Sequence, residues 1–432
     1  MFIRILNSEM ELATGCTEPG AVALTAAEAG QALRKAGVDK AEEITVNASI
    51  NIIKNAMSVG IPGTDYEGMD YAAAIGALGG DPVYLLEVMN HVPRETVEAA
   101  AALVKAGKVR VKVAQVPQKL YIEVIAKGGG HTGRAIVRDL HTNVVLVEQD
   151  GAATLDKRDM DTAAADDSDV VTPEQIASFL TVRSIWDYCT KELDPMNDPI
   201  DIIRSAVKVN SVISDEGLSK EYGLAIGRNL DLNCRKGLMT RDLTTNSMIA
   251  AAAGADARMA GAPVSVVANS GSGNQGITCS VPLIEYAKEL HSGKEKLYRA
   301  LIISNLVAIH EKTGIGTLSA YCGAVSAGAG AGAGIVYLCG DGYQAAIHTV
   351  VNALAIVSGI VCDGAKASCA AKIASSVDAA LLGYNMYKCH QEFKGGDGIV
   401  MKDIETTIKG IGRLGKDGMK ETNEEIIRLM IE

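Results

Sequence analysis

The stretch from Tyr321 to Cys339, YCGAVSAGAGAGAGIVYLC, contains no charged side chain over nineteen residues. Its small residues recur every few positions, which lets neighbouring backbones approach closely. Alanine and glycine contribute little transfer free energy, and neither a Lys/Arg cluster nor an aromatic belt flanks the stretch. We therefore interpret it as a buried helix of a soluble protein and not as a membrane span.

The composition agrees with a buried core that contains such a helix of small residues. The chain has 432 residues, 48% of them hydrophobic, with 45 Gly but only 3 Phe and 1 Trp. The core must then be built from small and aliphatic residues, and the apolar fraction excludes a disordered chain. The net charge is −11 and the basic residues form no dense block, so nucleic acid is not expected as a partner.

The cysteines number nine, an odd count, and their spacings are uneven. The beginning of the chain, MFIRILNSEMELATG, carries acidic residues early and lacks the continuous apolar core of a signal peptide. We therefore predict a reducing cytoplasm and no disulfide framework. In that setting a cluster of cysteines indicates metal binding or catalysis, whereas a single free cysteine is commonly a small buried apolar residue.

The order of the periodic segments predicts an α+β fold. An N-terminal helix with the Gly-Cys-Thr-Glu-Pro motif is expected within residues 1–39, and a mixed α/β domain with a partly antiparallel sheet within 40–150. Residues 151–172 are acidic and poorly periodic, which favours a linker. Residues 173–432 are predicted to form a helical domain rich in Ala and Gly, whose first helix is opened by Pro173.

A glycine-rich segment, VSVVANSGSGNQGITCSVP at 264–282, follows a β-rich run and precedes a predicted helix. Gly271, Gly273 and Gly276 match the spacing of a dinucleotide-binding fingerprint, although the surroundings are helical and not repeated βαβ units. A phosphate cup for pyridoxal phosphate is a second interpretation. A polar turn that presents N–H, Ser and Asn groups to a small carboxylate is a third, and an ordinary loop remains a fourth.

Three C-terminal cysteines have spacings suited to metal binding. Cys322 opens the Ala/Gly-rich helix, while Cys362 and Cys369 lie seven residues apart in CDGAKASC, forty residues further on. Three thiolates from facing helices suit an iron–sulfur cluster in which one iron lacks a protein ligand, and a three-cysteine zinc site is also chemically reasonable.

Cys16 is predicted to lie at a helix N-terminus, which favours an anion and would lower the pKa of the thiol. Beside Glu18, such a thiol is suited to act as a base, a nucleophile or another metal ligand. His141 lies between two predicted strands, where it is either a functional group or a structural turn residue. Lys54 is a further candidate for binding a carboxylate.

Several motifs together resemble the L-cysteine desulfidase family, which is related to the alpha chain of iron–sulfur L-serine dehydratase. The resemblance covers nearly the whole chain, and NSGSGNQGIT at 269–278 and CDGAKASC at 362–369 are its most specific motifs. The other motifs that carry it are GCTEP at 15–19, PGT at 62–64, GALGG at 76–80, HTN at 141–143 and DARM at 256–259.

The resemblance implies a [4Fe-4S] enzyme that cleaves L-cysteine to pyruvate, ammonia and hydrogen sulfide without pyridoxal phosphate. It implies that Cys322, Cys362 and Cys369 are the cluster ligands and that Cys16 is the catalytic base, and it argues against Cys279 as a ligand. The short spacing of the last two ligands favours the desulfidase branch over the serine dehydratases.

In this mechanism an open cluster iron acts as a Lewis acid. Ser270, Ser272 and Asn274 are expected to hold the substrate carboxylate, with His141 and Asn143 as secondary substrate contacts. The expected partner is a small amino acid, with no nucleic acid and no membrane, and a homo-oligomer is left open. The alternatives are an iron–sulfur L-serine dehydratase and a non-catalytic protein that binds a small ligand or senses redox state.

Overall fold

The computed structural model describes residues 1–159, 171–316 and 318–431. A mixed sheet occupies the N-terminal part and helices occupy the C-terminal part, so the predicted α+β class is confirmed. None of the described helices has the length and apolar character needed to cross a bilayer.

Eight strands are present in the described residues. They are β1 (Met10–Thr14), β2 (Glu43–Ala48), β3 (Val109–Val113), β4 (Tyr121–Gly128), β5 (His131–Arg138), β6 (Val144–Gln149), β7 (Ala152–Asp156) and β8 (Ser265–Asn269). Six of them form one sheet in the order β3-β2-β4-β5-β6-β7, in which β2 and β3 are parallel and the other neighbours antiparallel. The strands β2 to β6 were each predicted from apolar–polar alternation, which buries one face of the sheet.

Seventeen α-helices are present in the same described residues. They are α1 (Phe2–Glu9), α2 (Thr17–Lys35), α3 (Ile50–Ala56), α4 (Met69–Gly79), α5 (Arg94–Lys105), α6 (Pro173–Phe179), α7 (Val182–Asp187), α8 (Asp201–Ser219), α9 (Ile226–Arg235), α10 (Leu243–Met259), α11 (Gly273–Glu289), α12 (Lys294–Ile315), α13 (Gly323–Leu338), α14 (Tyr343–Val357), α15 (Cys369–Lys388), α16 (Ile404–Arg413) and α17 (Lys420–Ile431). Short 3-10 or π turns cover Pro82–Glu87, Tyr188–Glu192 and Leu414–Gly418.

Helix α2 joins the sheet to the rest of the N-terminal part. It packs on β4, β5 and β6 and on α4, and its alanines belong to the same buried cluster as the inward-facing residues of the sheet. A second and larger buried cluster is formed by the C-terminal helices, and it includes Ile5, Leu6 and Met10. The first residues of the chain therefore pack with the helical part, whereas α2 packs with the sheet.

The Ala/Gly-rich stretch forms the buried helix α13, as predicted. It packs against α11, α12, α14 and α15. A Cβ atom at Gly330 would lie 2.4 Å from the carbonyl oxygen of Ser304 in α12, and one at Gly328 would lie 2.7 Å from that of Ser376 in α15. These two positions thus require glycine because the neighbouring helix backbones occupy the space of a side chain.

Two segments differ from the sequence prediction. Residues 10–14, which lie within the range assigned to the N-terminal helix, form β1, which pairs antiparallel with β8. The first part of the predicted linker forms the edge strand β7, and Thr172 caps α6, which Pro173 opens. The remaining linker residues, 160–170, lie outside the described residues.

Candidate active site

A cavity of about 110 Å³ is lined by residues from both the sheet-containing part and the helical part. All of the predicted site residues except Asn143 and Lys54 line it. Its polar lining includes Cys16, Glu18, Asn55, His141, Arg258, Ser270, Ser272, Asn274, Gln275, Lys312, Cys322, Cys362 and Cys369.

Cys16 lies where β1 turns into α2. It caps the N-terminus of α2 in an extended conformation, with φ −85° and ψ 139°, and only 4% of it is exposed. The predicted position at a helix start is therefore confirmed. The turn orients the thiol toward the cavity because Gly15 and Cys16 reverse the chain between the strand and the helix.

The expected effect of the helix start on the thiol is overturned. Burial raises the pKa of the Cys16 thiol well above its ordinary value, and the neighbouring Glu18 carboxylate raises it further. Arg258 acts in the opposite direction but is outweighed. Desolvation and a nearby like charge thus dominate the local field of the helix terminus, and the resting group is a thiol.

Glu18 is the hydrogen-bond acceptor at the centre of this turn. Its Oε2 accepts from the Cys16 thiol at 3.0 Å and from the Thr17 hydroxyl at 3.0 Å, and its Oε1 accepts from the Asn55 amide at 2.7 Å. Burial opposes the ionised form, but the nearby His141 and these hydrogen bonds outweigh it, so the pKa of Glu18 is lowered. Burial also lowers the pKa of His141. The Cys16–Glu18 pair therefore consists of a thiol that donates a hydrogen bond to a carboxylate.

The glycine-rich loop lies directly against this turn. Thr17 Oγ1 donates to the carbonyl oxygen of Gly271 at 2.8 Å, across 254 positions of sequence. Ser270 has φ 47°, a left-handed conformation rare for a residue with a Cβ, and its hydroxyl donates to Asn269. Ser272 caps α11 by accepting from the Gln275 N–H. The predicted strand–loop–helix order around this segment is thus confirmed.

The dinucleotide interpretation of the loop is not supported. The strand before it, β8, pairs only with β1 among the described strands, in an antiparallel two-stranded sheet. A dinucleotide fold requires parallel βαβ units around the glycines. The cavity volume is also small for a dinucleotide, since ordinary ligand pockets enclose roughly 300–1,000 Å³.

The three C-terminal cysteines line the same cavity. Cys322 caps α13, and Cys369 is the first residue of α15. The N–H of Cys322 donates to Ile360 at 3.2 Å and that of Cys362 donates to Ala320 at 2.7 Å, which ties the two segments together. The forty residues between Cys322 and Cys362 double back through α14.

The electrostatic surroundings of these thiols are cationic. Burial, and then the neighbouring Cys362, raise the pKa of Cys322 to about 12, so this group becomes a thiolate only beside a cation. Lys312 lines the cavity, and Lys54 Nζ lies 3.4 Å from the carbonyl oxygen of Cys362. Burial lowers the pKa of both lysines.

No group of three His, Cys, Asp or Glu side chains within the described ranges is arranged to hold a single metal ion. Cys322, Cys362 and Cys369 nevertheless line one cavity.

Five residues that line the cavity have a buried polar atom without a hydrogen-bond partner in the described part of the chain. Such atoms are rare because each costs free energy when it is left unpaired. One is a donor, Arg258 Nη2, and three are acceptors, Asn55 Oδ1, Asn274 Oδ1 and Gln275 Oε1. The fifth, His141 Nε2, donates or accepts according to the tautomer of the ring. The mixture suits a small ligand that carries both an anionic and a cationic group.

Three residues weighed from the sequence do not line the cavity. Lys54 Nζ lies 3.4 Å from the carbonyl oxygen of Cys362. The amide of Asn143 donates to the carbonyl oxygen of Arg138 at 3.0 Å and closes the turn between β5 and β6, so its contact with substrate stays a prediction. Cys279 is fully buried in α11 and packs toward Ala327 of α13, in agreement with a packing role.

Sequence reasoning did not select four of the residues that line the cavity, Asn55, Arg258, Gln275 and Lys312. Arg258 was visible only as part of the DARM motif, and Gln275 as part of the glycine-rich segment. Asn55 and Lys312 lie in helical segments where nothing in the local pattern distinguishes them from surface residues.

The fold and site define an α+β protein with a cysteine-lined polar cavity, and comparison with known proteins gives its family. The model of the serine dehydratase alpha chain family matches residues 82–428, and the chain belongs to that family. The matched range includes Arg258, the glycine-rich loop and the three C-terminal cysteines.

Similarity also extends over the whole chain. A UPF0597 protein of Oleidesulfovibrio alaskensis is 42% identical over 432 residues, which cover 100% of this chain and 97% of that protein. A UPF0597 protein of Desulfitobacterium hafniense is 43% identical over 433 residues, 100% of this chain and 96% of that protein. A UPF0597 protein of Treponema denticola is 42% identical over 435 residues, which cover 100% of this chain and 97% of that protein. The Cys16 turn therefore lies within the region shared with these relatives.

Proposed function

We propose that this protein is an iron–sulfur-dependent L-cysteine desulfidase, a lyase that converts L-cysteine to pyruvate, ammonia and hydrogen sulfide. The observation that carries the proposal is that Cys16 and the three cysteines Cys322, Cys362 and Cys369 line one cavity. Membership of the serine dehydratase alpha chain family supports a lyase reaction of a small amino acid. The unpartnered donors and acceptors of the cavity suit a zwitterion.

In this proposal Cys322, Cys362 and Cys369 hold a [4Fe-4S] cluster. Their fit rests on the donor set, because the three thiols share the cavity with Lys312, and Lys54 Nζ lies 3.4 Å from the carbonyl oxygen of Cys362. Positive charges on these lysines favour thiolates. When bound, a cluster with one iron that lacks a protein ligand supplies a Lewis acid for the departing sulfur of the substrate.

Cys16 is proposed to remove the proton from Cα of the substrate. The thiol must first lose its own proton, and the Glu18 carboxylate, which already accepts its hydrogen bond at 3.0 Å, is placed to receive it. The positive charge of Arg258 favours the thiolate. Proton transfer by a positioned group of this kind typically contributes 10²–10⁴-fold to a rate.

The bond changes balance as a β-elimination. Cys16 takes the Cα proton, the Cα–H electron pair forms the Cα–Cβ double bond, and the Cβ–S pair leaves with sulfur as hydrosulfide. The aminoacrylate product tautomerises to an imine, which water hydrolyses to pyruvate and ammonia. Ser270, Ser272 and Asn274 line the side of the cavity next to the Cys16 turn and His141 lies against Gly271, so these residues are proposed to contact the substrate.

A second candidate function is an iron–sulfur L-serine dehydratase, which the description of the matching family favours. The same cavity would serve this reaction with hydroxide as the leaving group. The spacing of Cys362 and Cys369, seven residues apart, is the feature that favours cysteine.

The deciding experiment is an anaerobic purification of the full chain, with the visible spectrum, the iron and sulfide content, and product assays on both amino acids. We expect a brown protein that releases equimolar pyruvate and sulfide from L-cysteine faster than pyruvate from L-serine. Faster turnover of serine would replace the desulfidase by the dehydratase. A cluster-loaded protein that forms no pyruvate from either amino acid would contradict both and favour a ligand-binding or redox-sensing protein.

A further inference from the structure

Arg258 is a buried cation whose terminal nitrogen is left unpaired. It lies in the last turn of α10, with only 2% of the residue exposed. Its Nε donates to the carbonyl oxygen of Gly15 at 2.9 Å, whereas its Nη2 is buried without a partner in the described residues. Burying a guanidinium without full pairing is costly, so a folded protein keeps one where a ligand completes the pairing.

The guanidinium is held rigidly at the start of α11. A Cβ atom at position 273 would lie 2.3 Å from Arg258 Nε, so Gly273 leaves space that the guanidinium fills. The bond to Gly15 fixes the same group next to the Cys16 turn. Arg258 therefore occupies one defined position between the glycine-rich loop and the proposed base.

The position suits the carboxylate of an α-amino acid. A guanidinium is planar and matches a carboxylate with two parallel hydrogen bonds. The charge of Arg258 lowers the pKa of both Cys16 and His141, so the guanidinium lies close to the proposed proton transfer. Because the carboxylate is bonded directly to Cα, a carboxylate held here leaves the Cα proton near the Cys16 sulfur.

The remaining cavity atoms suit the other end of the ligand. Asn55 Oδ1, Asn274 Oδ1 and Gln275 Oε1 are unpartnered acceptors, which match an ammonium group and not a second anion. Cys322 and Cys362 line the same cavity.

We infer that Arg258 binds the α-carboxylate of the substrate and so selects α-amino acids over their neutral derivatives. The inference rests on the proposed function only in taking the ligand to be an amino acid. Ser270 and Ser272 then assist at the rim of this anion site and do not supply its charge, while Asn274 Oδ1 faces the ammonium group.

Binding of two unreactive probes tests the inference without turnover. Isothermal titration of the anaerobically purified, cluster-loaded full chain compares L-alanine, which has a carboxylate and no leaving group, with L-alaninamide, which is uncharged at that position. We expect Arg258→Gln to weaken L-alanine binding at least about 100-fold, or about 2.7 kcal/mol, and to leave alaninamide binding unchanged. Arg258→Lys should bind L-alanine with an affinity between those of the wild-type protein and Arg258→Gln, because a point charge replaces the planar guanidinium.

Matched controls separate a direct contact from a folding defect. Arg34→Gln removes another partly buried guanidinium, whose Nη1 donates to the carbonyl oxygen of Ala77 outside the cavity, and should leave L-alanine binding unchanged. Added guanidinium should restore part of the affinity of Arg258→Gln for L-alanine. It should not restore L-alanine binding to a misfolded variant. Equal affinity of the wild-type protein for the two probes, or L-alanine binding that Arg258→Gln leaves intact, would overturn the inference.

The outcome is distinguishable from failure of the proposed function. If no pyruvate forms from cysteine but L-alanine binding depends on Arg258, the carboxylate site stands and the desulfidase does not. If cysteine is cleaved and Arg258→Gln changes kcat without raising KM or weakening L-alanine, the desulfidase stands and the inference fails.

Discussion

The Sγ atom of Cys16 donates a hydrogen bond to Oε2 of Glu18 over 3.0 Å, so the proposed base and a carboxylate share one proton within the first turn of α2. Burial favours the thiol, while the hydrogen bonds to Glu18 keep the carboxylate ionised. The pair therefore holds a proton acceptor beside the thiol, and its two members make separable contributions to reactivity.

Replacing Cys16 by Ala is expected to lower the turnover of L-cysteine at least about 100-fold, because the Cα proton loses its acceptor. The brown chromophore and the iron content should be unchanged, since Cys16 is not a proposed ligand. The exposed Cys389, changed to Ser, is the matched control and should keep both properties. Loss of the chromophore in Cys16→Ala would make Cys16 a ligand and refute its assigned role.

Replacing Cys322, Cys362 or Cys369 singly by Ala is expected to remove most of the bound iron and sulfide, because each would take one of three protein ligands from the cluster. The readout is the visible spectrum together with iron and sulfide counts on anaerobically purified protein. Cys279→Ala, which changes a buried cysteine outside the cavity, should retain the cluster. Full iron content in all three variants would rule out the proposed ligand set.

Replacing Glu18 by Gln is expected to make Cys16 easier to ionise, because the carboxylate is, after burial, the main cause of the raised pKa of the thiol. The pH at which iodoacetamide reacts half-maximally with Cys16 should therefore move down, and a midpoint lower by one pH unit means about tenfold more thiolate at any pH well below it. Peptide mass spectrometry measures the rate, and the exposed Cys389 in the same sample serves as an internal control. A midpoint that stays in place or moves up would contradict the electrostatic role of Glu18.

Glu311 should make the stability of the protein depend on pH. It is buried, and the neighbouring Ser326 hydroxyl does not offset the effect of burial on its carboxyl group. Burial raises its pKa well above the ordinary value of 4.5, so the folded protein keeps it protonated while the unfolded chain ionises it. Its stabilising contribution is complete below about pH 4.5 and is lost as the pH rises toward the folded pKa.

The free energy of unfolding of Glu311→Gln, relative to that of the wild-type protein, is therefore expected to increase between pH 5 and pH 8, by up to about 1.4 kcal/mol per pH unit. Urea unfolding at several pH values measures it. Glu98→Gln, at an exposed helix position, should show no such trend. A stability difference that is flat across this range would mean that Glu311 is ionised in the folded protein.

Gly330→Ala is expected to destabilise the protein by about 1–3 kcal/mol, because the added methyl would lie 2.4 Å from the carbonyl oxygen of Ser304. Gly359→Ala is the control, since nothing lies within 4 Å of its Cβ position. Denaturant unfolding compares the two. Equal stability of both variants would show that α12 and α13 adjust their spacing freely.

The sequence by itself determined the elements whose pattern is local. Alternation of apolar and polar residues specified β2 to β6, and the run of small residues specified the buried helix α13, because both patterns follow directly from which faces must be buried. The cap position of Cys16 and the strand–loop–helix order around residues 264–282 were readable for the same reason.

Tertiary structure alone decided how these pieces meet. The pairing of β1 with β8, and the bond from Thr17 to Gly271 across 254 positions, depend on contacts that no local pattern encodes. The direction of the pKa shift of Cys16 was mistaken from sequence because a helix terminus is a local property, whereas burial and the charge of Glu18 are set by the packing around the thiol. Arg258 became a candidate only in the folded structure, where its guanidinium is buried in the cavity and its Nη2 has no partner among the described residues. Burial is the reason, because an unpaired charged group costs free energy only when it is removed from water, and a ligand can then supply the missing partner.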